Sequence, residues 1–268
     1  MSLFADELVV VRGGGDARRR LNRGLRRVGF PVVVTELARP LTVRRSVAFS
    51  SAVVDGSITI DGIDGVLVAT PAEALDAAGS GVVPVLVDEE IPKFSFPPTV
   101  VVDARIAKRN LGTTKDQAPF VVGLGPGFSA GGDCDAVIET VRGHHLGRVI
   151  WDGPAAPNTG TPGEIGGESN RRVVRAPMPG ELTWDVDFGD LVEAGQRLGA
   201  IDDNPVLSQI RGTVRGLIMP GPVVPGLKIG DVDPRFDPSA THQISDKALS
   251  IGGAVLEAVL VWINESNR

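Results

Sequence analysis

Short runs of β-branched residues recur through the first half of the chain, at spacings that leave room for helices between them. They are Leu8 to Val11, Val32 to Val34, "GVLVAT", "VVPVLVD", "TVVVDA" and "PFVVGLG". Such runs are apolar on both faces of a strand, which is typical of a parallel sheet because crossover helices cover both of its sides. The pattern therefore predicts an α/β fold with a Rossmann-like, mostly parallel sheet.

Three segments between these runs have the apolar spacing of a helix: residues 16–28, "LTVRRSVAFSSAVV" and "PAEALDAA". A fourth helical segment, "IGGAVLEAVLVWI", lies near the C-terminus. It is interrupted by Glu257 and is shorter than the roughly 20 residues that cross a bilayer. We predict that it forms a buried helix and that the protein has no membrane partner.

The pattern changes after residues 151–170, which are rich in glycine and proline and almost free of apolar residues. Short apolar runs punctuated by glycine follow, and three positions recur there at a constant offset. They are Gly180, Gly189 and Val192, which recur as Gly212, Gly221 and Val224. Two similar units that cannot bury their own apolar faces are best satisfied by packing together. The pattern resembles the two halves of a biotinyl/lipoyl-type barrel-sandwich module.

Carrier domains of that type place a modified lysine in the hairpin that joins their halves. Here the joint is "IDDNPV", Ile201 to Val206, and it contains no lysine. We therefore expect no covalent biotin or lipoate and interpret the module as a binding or structural part. The predicted domains are a Rossmann-like domain over residues 1–168, the barrel-sandwich module over 169–236, and a helical segment over 237–268 that packs on the α/β domain.

The chain is acidic, with a formal net charge of -6. Non-specific binding to nucleic acid or to anionic membranes depends on clustered positive charge, so neither is a predicted partner. The single cysteine, Cys134, cannot form an internal disulfide, and the N-terminal sequence has neither the basic flank nor the cleavage site of a signal peptide. We expect a cytoplasmic protein, and a homo-oligomer is compatible with the sequence.

Three glycines follow the first predicted strand, in "VVVRGGGDARRR". Gly13 and Gly15, with Asp16 beside them, would form a tight turn that lets a pyrophosphate approach a helix N-terminus. Glu36 ends the second strand, where an acidic side chain accepts hydrogen bonds from ribose hydroxyls. The third glycine of the dinucleotide fingerprint is replaced by Arg18. Two interpretations stay open: a site for a nucleotide or phosphorylated ligand, or a turn beside a solvated, basic helix face.

A second glycine-rich loop follows another predicted strand, and its residues Gly123, Gly125 and Gly127 favour a second anion-binding nest of backbone N–H groups. Within it, "GFSAG" matches the nucleophile elbow of serine hydrolases. Pro126 and extra glycines separate the serine from the strand, so a hydrolase is the weaker interpretation. Cys134 lies between two aspartates and is predicted to be a small buried side chain. The three histidines and one cysteine lack the spacing of metal ligands, so we expect no metal site.

Polar residues also follow the later strands of the predicted sheet. The candidate ligand contacts among them are Asp103, Arg105, Lys108, Glu139 and Arg142. Salt bridges and turn caps explain such residues equally well. Because all follow apolar runs of one sheet, a shared cleft for an anionic ligand is also predicted.

Four long strings resemble the YqeB family, in the same order along nearly the whole chain. They are "VVTELARPLTVRRSVAFSSAV", "VDARIAKRNLGT", "VVGLGPGFSAGGDCDAVIETVRGHHLGRVIWDGPAAPNTGTPGEIGG" and "ISDKALSIGGAVLEAVL". That family is associated with selenium-dependent molybdenum hydroxylase systems, and its first half is similar to the Rossmann-type domain of XdhC/CoxI-like maturation factors. Family members carry small residues after the Gly-Asp pair, where this chain has Ala17 and three arginines. The departure falls on the glycine turn itself.

The resemblance implies an accessory or maturation protein for a molybdenum hydroxylase, which would bind a nucleotide, NAD(P), or a molybdopterin-type cofactor at the carboxyl edge of the sheet. Its partners would be that small phosphorylated ligand and the hydroxylase apoenzyme. Two other functions stay open, an NAD(P)-dependent oxidoreductase and a non-catalytic scaffold for the apoenzyme. Whether the protein is an enzyme is not decided by the sequence.

Overall fold

The computed structural model describes residues 3–15 and 19–266, except for the side chains of residues 19, 20 and 23. The chain forms two compact units. The first contains the chain up to Pro40, Ala48–Asn158 and the segment from Ile244 onward, and the second contains Leu41–Val47 and Thr159–Gln243. The boundary near Asn158 falls inside the glycine- and proline-rich segment. The domain limits proposed from the sequence stay a prediction.

Within the residues that the structure describes, the first unit contains eleven strands and four α-helices. Its strands are β1 (Val9–Arg12), β2 (Val32–Glu36), β3 (Ser57–Ile60), β4 (Ile63–Val68), β5 (Val83–Val87), β6 (Val100–Asp103), β7 (Phe120–Leu124), β8 (Ser129–Ala130), β9 (Ala136–Ile138), β10 (Val149–Ile150) and β11 (Gly153–Pro154). Its helices are α1 (Arg19–Val28), α2 (Ala52–Asp55), α3 (Pro71–Ser80) and α4 (Asp246–Ser266).

Nine of these strands form one sheet in the order β10-β9-β7-β6-β1-β2-β5-β4-β3. The two edge strands, β10 and β3, pair antiparallel, and all the others are parallel. The predicted α/β fold with a large, mostly parallel sheet is therefore confirmed. From β1 the chain first builds one side of the sheet through β2 and then crosses to the other side at β6, as in a doubly wound sheet.

Both faces of this sheet are buried, as the continuous apolar runs predict. Val9 and Val11 point to a core shared with Leu25 of α1 and Val255 of α4. Val10 points to the opposite core, which includes α3. Alternate residues of one strand thus enter two different cores.

The C-terminal helix α4 packs against α1 and the sheet of the same unit. By length and composition alone, the apolar segment that ends at Ser266 would suffice to cross a membrane. Ile251, Val255 and Val259 on one face of α4 are fully buried in the core, and a core helix has the same composition. The predicted buried C-terminal helix is confirmed.

The long helix predicted over "LTVRRSVAFSSAVV" is wrong. The segment contains two 3-10 turns, Arg45–Val47 and Phe49–Ser51, followed by the short helix α2. Its first part pairs instead with the second unit, in which it is included, because the Leu217 backbone N–H donates to the carbonyl of Val43 at 2.7 Å. Hydrogen bonds distant in sequence outweigh the local helical pattern here.

The second unit consists of eight short strands. They are β12 (Val173–Arg175), β13 (Gly180–Trp184), β14 (Leu191–Val192), β15 (Arg197–Ile201), β16 (Asn204–Leu207), β17 (Gly212–Leu217), β18 (Gly221–Val223) and β19 (Lys228–Asp233). They form two four-stranded antiparallel sheets, in the orders β12-β19-β17-β14 and β16-β15-β13-β18. Residues 159–243 contain no closed barrel.

The internal repeat explains this arrangement. Gly180 and Gly212 begin β13 and β17, so β12–β15 and β16–β19 are corresponding halves. Each sheet takes two strands from each half, and one apolar core lies among all of them. The apolar side chains of the two halves thus share one core. The hairpin that joins the halves turns at Asp202 and Asp203.

Candidate functional site

The residues predicted to bind a ligand follow the strands of one sheet edge. In the register of the sheet, Arg12 lies beside Thr35 on β2 and beside Asp103 on β6, and Asp103 lies beside Gly123 on β7. These strands are parallel, so all the segments that follow them leave from the carboxyl edge. The sheet therefore places both glycine-rich turns on the same side of the unit.

The centre of this edge is the gap between β1 and β6. The chain leaves β1 toward one side of the sheet and leaves β6 toward the other, which makes this pair the topological switch point. In open α/β sheets the loops diverge at such a point and leave a crevice in which ligands bind. In this sheet that point lies between the carboxyl ends of β1 and β6.

A buried network of charged side chains occupies the switch point. Arg105 Nη2 donates to Asp103 Oδ2 at 2.5 Å, and Thr113 Oγ1 donates to the same oxygen at 2.5 Å. Arg12 Nη1 donates to Thr113 Oγ1 at 3.0 Å. Burial alone would raise the pKa of Asp103, but the hydrogen bonds from Arg105 and Thr113 outweigh it and hold the pKa below its usual value. Asp103 is therefore ionised at neutral pH.

Arg12 is the most enclosed cation of this network, with only 1% of its surface exposed. Burial and, next, the charge of Arg105 lower its pKa. Its Nη2 donates to the Glu89 carbonyl at 3.0 Å and lies 3.4 Å from a carboxylate oxygen of Glu90. The Glu90 side chain is 78% exposed, and within the described residues the buried Nε of Arg12 has no hydrogen-bond partner. One partner of this cation thus lies largely in solvent, where an external anion could replace it.

The loop after β6 is strained. Ile106 has φ of 50° and Lys108 has φ of 63°, a region that non-glycine residues rarely adopt and that is exceptional for a β-branched side chain. Such strain is concentrated at functional sites, because surrounding contacts must hold it. Lys108 Nζ donates to Asn158 Oδ1 at 2.8 Å, which fixes the side chain of this loop residue.

The first glycine turn is built for close packing of backbone. Gly13 has φ of 95°, and its N–H donates to the Thr35 carbonyl at 2.6 Å. A Cβ at Gly14 would lie 2.7 Å from the backbone nitrogen of Ser50, so this position requires glycine. Gly15 follows the turn, and Asp16 lies outside the described residues.

Glu36 binds the glycine turn directly. Its Oε2 accepts from the Gly14 N–H at 2.7 Å and its Oε1 accepts from the Leu37 N–H at 2.9 Å. The carboxylate therefore stabilises the turn. Since two carboxylate oxygens have about four lone-pair positions, Glu36 keeps capacity to accept from a ligand hydroxyl.

The second glycine loop is filled by the protein's own atoms. Gly123 packs against Phe128, Gly125 against Thr140, and Gly127 against the backbone of Arg109. Gly125 and Gly127 have φ of 79° and 109°. Close packing and turn geometry thus explain why glycine occupies these three positions. The anion nest predicted for this loop stays a prediction.

Glu139 and Arg142 also make internal contacts. Glu139 Oε1 accepts from the N–H groups of Thr140 and Val141, and its Oε2 accepts from that of Ala156. Arg142 forms a two-bond ion pair with Asp246, the first residue of α4. Both side chains thus hold local structure together.

The predicted residues divide into two groups along the edge. Gly13, Glu36, Asp103 and Arg105 surround the ends of β2, β1 and β6, whereas Glu139 follows β9. Four strand spacings separate β2 from β9, or about 19 Å. Only an elongated ligand would contact both groups.

Arg12, Thr113 and Glu90 contribute to the network but were not identified from the sequence. The sequence does carry a signal for Arg12, because a charged residue directly follows the apolar run Val9–Val11. Thr113 and Glu90 lie in loops whose positions depend on the sheet, and no local pattern marks them.

Cys134 is buried, as predicted. Burial, and to a smaller extent the neighbouring charges of Asp133 and Asp135, raises the pKa of its thiol to about 12. A thiolate nucleophile is therefore disfavoured at this position.

The fold is that of a doubly wound α/β protein, with a network of charged side chains at the carboxyl edge of its sheet. No family model matches the chain. The chain is 45% identical over 261 residues to "Uncharacterized protein YqeB" of Escherichia coli (strain K12), in an alignment that covers 97% of this chain and 48% of that protein. The chain thus spans about half the length of this curated relative. The similarity supports the resemblance to the YqeB family.

Two solved structures are similar at low levels. One is a succinylglutamate desuccinylase/aspartoacylase from Rhodobacter sphaeroides, with 23% identity, a TM-score of 0.23, and coverage of 24% of this chain and 22% of that chain. The other is an aspartoacylase family protein from Mesorhizobium loti, with 14% identity, a TM-score of 0.26 and coverage of 84% of both chains. TM-scores this low carry no argument about fold or function.

Proposed function

We propose that the first unit binds a phosphorylated ligand of nucleotide type over the carboxyl ends of β1 and β6. The observation that supports this most directly is the buried guanidinium of Arg12 at the topological switch point, with an exposed carboxylate as one of its partners. Phosphate oxygens are favoured partners of arginine, since the guanidinium offers several N–H donors in fixed geometry.

The neighbouring groups fit the other parts of a nucleotide. The positive φ of Gly13 makes a tight turn near which a pyrophosphate can approach the backbone. Glu36, held in place by the Gly14 N–H, can accept from ribose hydroxyls. Arg105, whose side chain is 22% exposed, provides a second cation just after β6, the other strand of the switch point.

The biological role that we propose follows from the family resemblance: an accessory protein for a molybdenum hydroxylase. The molybdenum cofactor is itself phosphorylated and often a dinucleotide, so the same crevice suits it and NAD(P). We propose binding and no reaction, because each group assigned at this edge of the sheet has a role in holding the ligand.

Thermal unfolding with added ligands tests the binding. NAD, AMP and pyrophosphate are the probes, and a ligand at 100 times its dissociation constant is expected to add about 2.7 kcal/mol to the free energy of unfolding. The Arg105→Gln variant, measured against its own unliganded state, is expected to lose most of this gain. Arg27→Gln is the control, because Arg27 is exposed in the last turn of α1, which leads back to the amino edge of the sheet. No stabilisation by any probe would overturn the proposal.

The proposed partner requires a separate test. Native mass spectrometry of the freshly purified chain, alone and mixed with the hydroxylase apoenzyme, would detect a bound nucleotide or molybdopterin and a complex between the proteins. A complex without a small ligand would instead support a scaffold. Turnover of a nicotinamide cofactor with a small substrate would support an oxidoreductase.

A further inference from the structure

The second unit contains a cleft of about 510 Å³ of its own, in the size range of small-molecule sites. One wall is the turn 165–168, in which Gly166 and Gly167 have φ of 56° and 83°. Ile165 and Glu168 exchange backbone hydrogen bonds of 2.9 and 3.0 Å across this turn. The turn is thus a tight hairpin whose central conformations favour glycine.

The cleft has an excess of positive charge. Arg171 and Arg211 line it with one carboxylate, that of Glu168. Arg171 Nη1 pairs with Glu168 at 3.0 Å and its Nη2 donates to the Gln209 carbonyl at 3.0 Å. Arg211 is exposed, and within the part of the chain that the structure describes it has no carboxylate partner. Arg211 is therefore the cation available to a ligand.

The position of Arg211 is set by an aromatic ring. Its guanidinium carbon lies 4.4 Å from the centroid of the Phe236 ring, a cation–π distance. Phe236 itself has φ of 53°, which is a rare conformation for a bulky residue. Strain of this kind is retained where the surroundings require it, and ligand sites are among those places. This backbone conformation places the Phe236 ring against Arg211 at the wall of the cleft.

Apolar groups complete the cleft. Ile210 is buried, and Pro234 packs against Gly166, where an added Cβ would lie 3.1 Å from the proline ring. Together with Phe236, these groups offer an apolar surface beside a cation. A ligand that matches both parts is an anion with an apolar body.

We propose that this cleft binds a small amphipathic anion, a carboxylate or phosphate attached to an apolar or aromatic group. Arg211 would receive the anionic group, with Arg171 beside it, and Phe236 and Pro234 would contact the apolar part. The site lies wholly within the second unit, so it stands independently of the nucleotide crevice.

Nuclear magnetic resonance titration of the full chain tests this proposal with three probes: phenyl phosphate, benzoate and the neutral benzyl alcohol. We expect at least one anion to shift the backbone amides of Gly166, Arg211 and Phe236, and benzyl alcohol to bind about tenfold more weakly, since it lacks the charge. The preferred anion identifies the phosphate or the carboxylate as the recognised group. Added salt is expected to weaken the binding.

The Arg211→Gln variant is expected to weaken binding of the preferred anion about tenfold. Because Arg211 is exposed, we expect the variant to fold as the unmodified protein does. Unchanged amide resonances away from position 211 would verify this. Arg197→Gln is the matched control, because Arg197 is an exposed arginine of the same unit that pairs with Asp185 outside the cleft. Equal affinity of the two variants, or anions that bind no better than the alcohol, would overturn the proposal.

Discussion

Arg12 is the residue on which the proposed nucleotide crevice depends. It ends a strand inside the core, yet one of its partners is the exposed carboxylate of Glu90. An arginine in this position needs a counter-charge, because an unpaired buried ion is strongly unfavourable. Asp103 and, to a smaller extent, Glu90 supply that charge without a ligand. The exposed Glu90 would compete with the phosphate of a ligand.

The competition leads to a prediction for Glu90→Gln. Removing the carboxylate is expected to tighten pyrophosphate binding about two- to fivefold, which corresponds to the weak coupling of an exposed ion pair. Isothermal titration calorimetry measures the change. Glu89→Gln is the control, because Glu89 contacts Arg12 through its backbone carbonyl only. Weaker binding by Glu90→Gln would mean that Glu90 does not occupy the anion position.

Cys134 provides a second test at the scale of one residue. With a pKa raised to about 12 by burial, its thiol is almost wholly protonated at pH 8. We expect a thiol reagent such as iodoacetamide to modify the folded protein at least about a hundredfold more slowly than the urea-unfolded chain, because only the thiolate reacts. Equal rates would show that the thiol is accessible and ionised.

Among the elements, strand β19 carries the buried carboxylates of Asp231 and Asp233, which pair with arginines. Asp231 accepts from Arg215 at 2.7 Å and also pairs with Arg172. Burial opposes its ionisation, but Lys228, Arg215 and Arg172 outweigh burial and lower its pKa. Because the folded pKa is below the unfolded one, the stabilisation by Asp231 is present above the unfolded value, near 3.9, and is lost as the pH falls through the folded value.

Asp231→Asn is therefore expected to lower the free energy of unfolding at pH 7 by about 3–5 kcal/mol, since it leaves two buried arginines without this carboxylate. Urea denaturation at pH 7 measures the loss. The matched control is Asp185→Asn, whose exposed pair with Arg197 predicts a loss below about 1 kcal/mol. Similar losses in the two variants would contradict the account of this network.

Two elements show what local sequence patterns reveal and omit. Asp61 and Gly62, both with positive φ, turn the hairpin between β3 and β4, and such an Asp-Gly pair is a local sequence signal for a hairpin. The segment 41–47 carries no such signal. Its structure depends on β17, more than 160 residues later, as the 2.7 Å bond between Leu217 and Val43 illustrates.

For the whole molecule, the sheet was predictable because strands that are buried on both faces consist of continuous apolar runs. The pairing of the two halves of the second unit was predictable from the repeat, although the two sheets are open and form no closed barrel. At the edge of the large sheet, the sequence identified charged strand ends. It could not show that Glu36 and Glu139 already accept from backbone N–H groups, because those contacts depend on loop geometry.

The central claim is that a phosphorylated ligand binds over the carboxyl ends of β1 and β6. A crystal structure determined with saturating NAD tests it most directly. We predict density for the pyrophosphate beside Gly13, within hydrogen-bond distance of Arg12 or Arg105. Density at the amino ends of these strands, or a carboxyl edge that stays free of ligand at saturation, would contradict the claim.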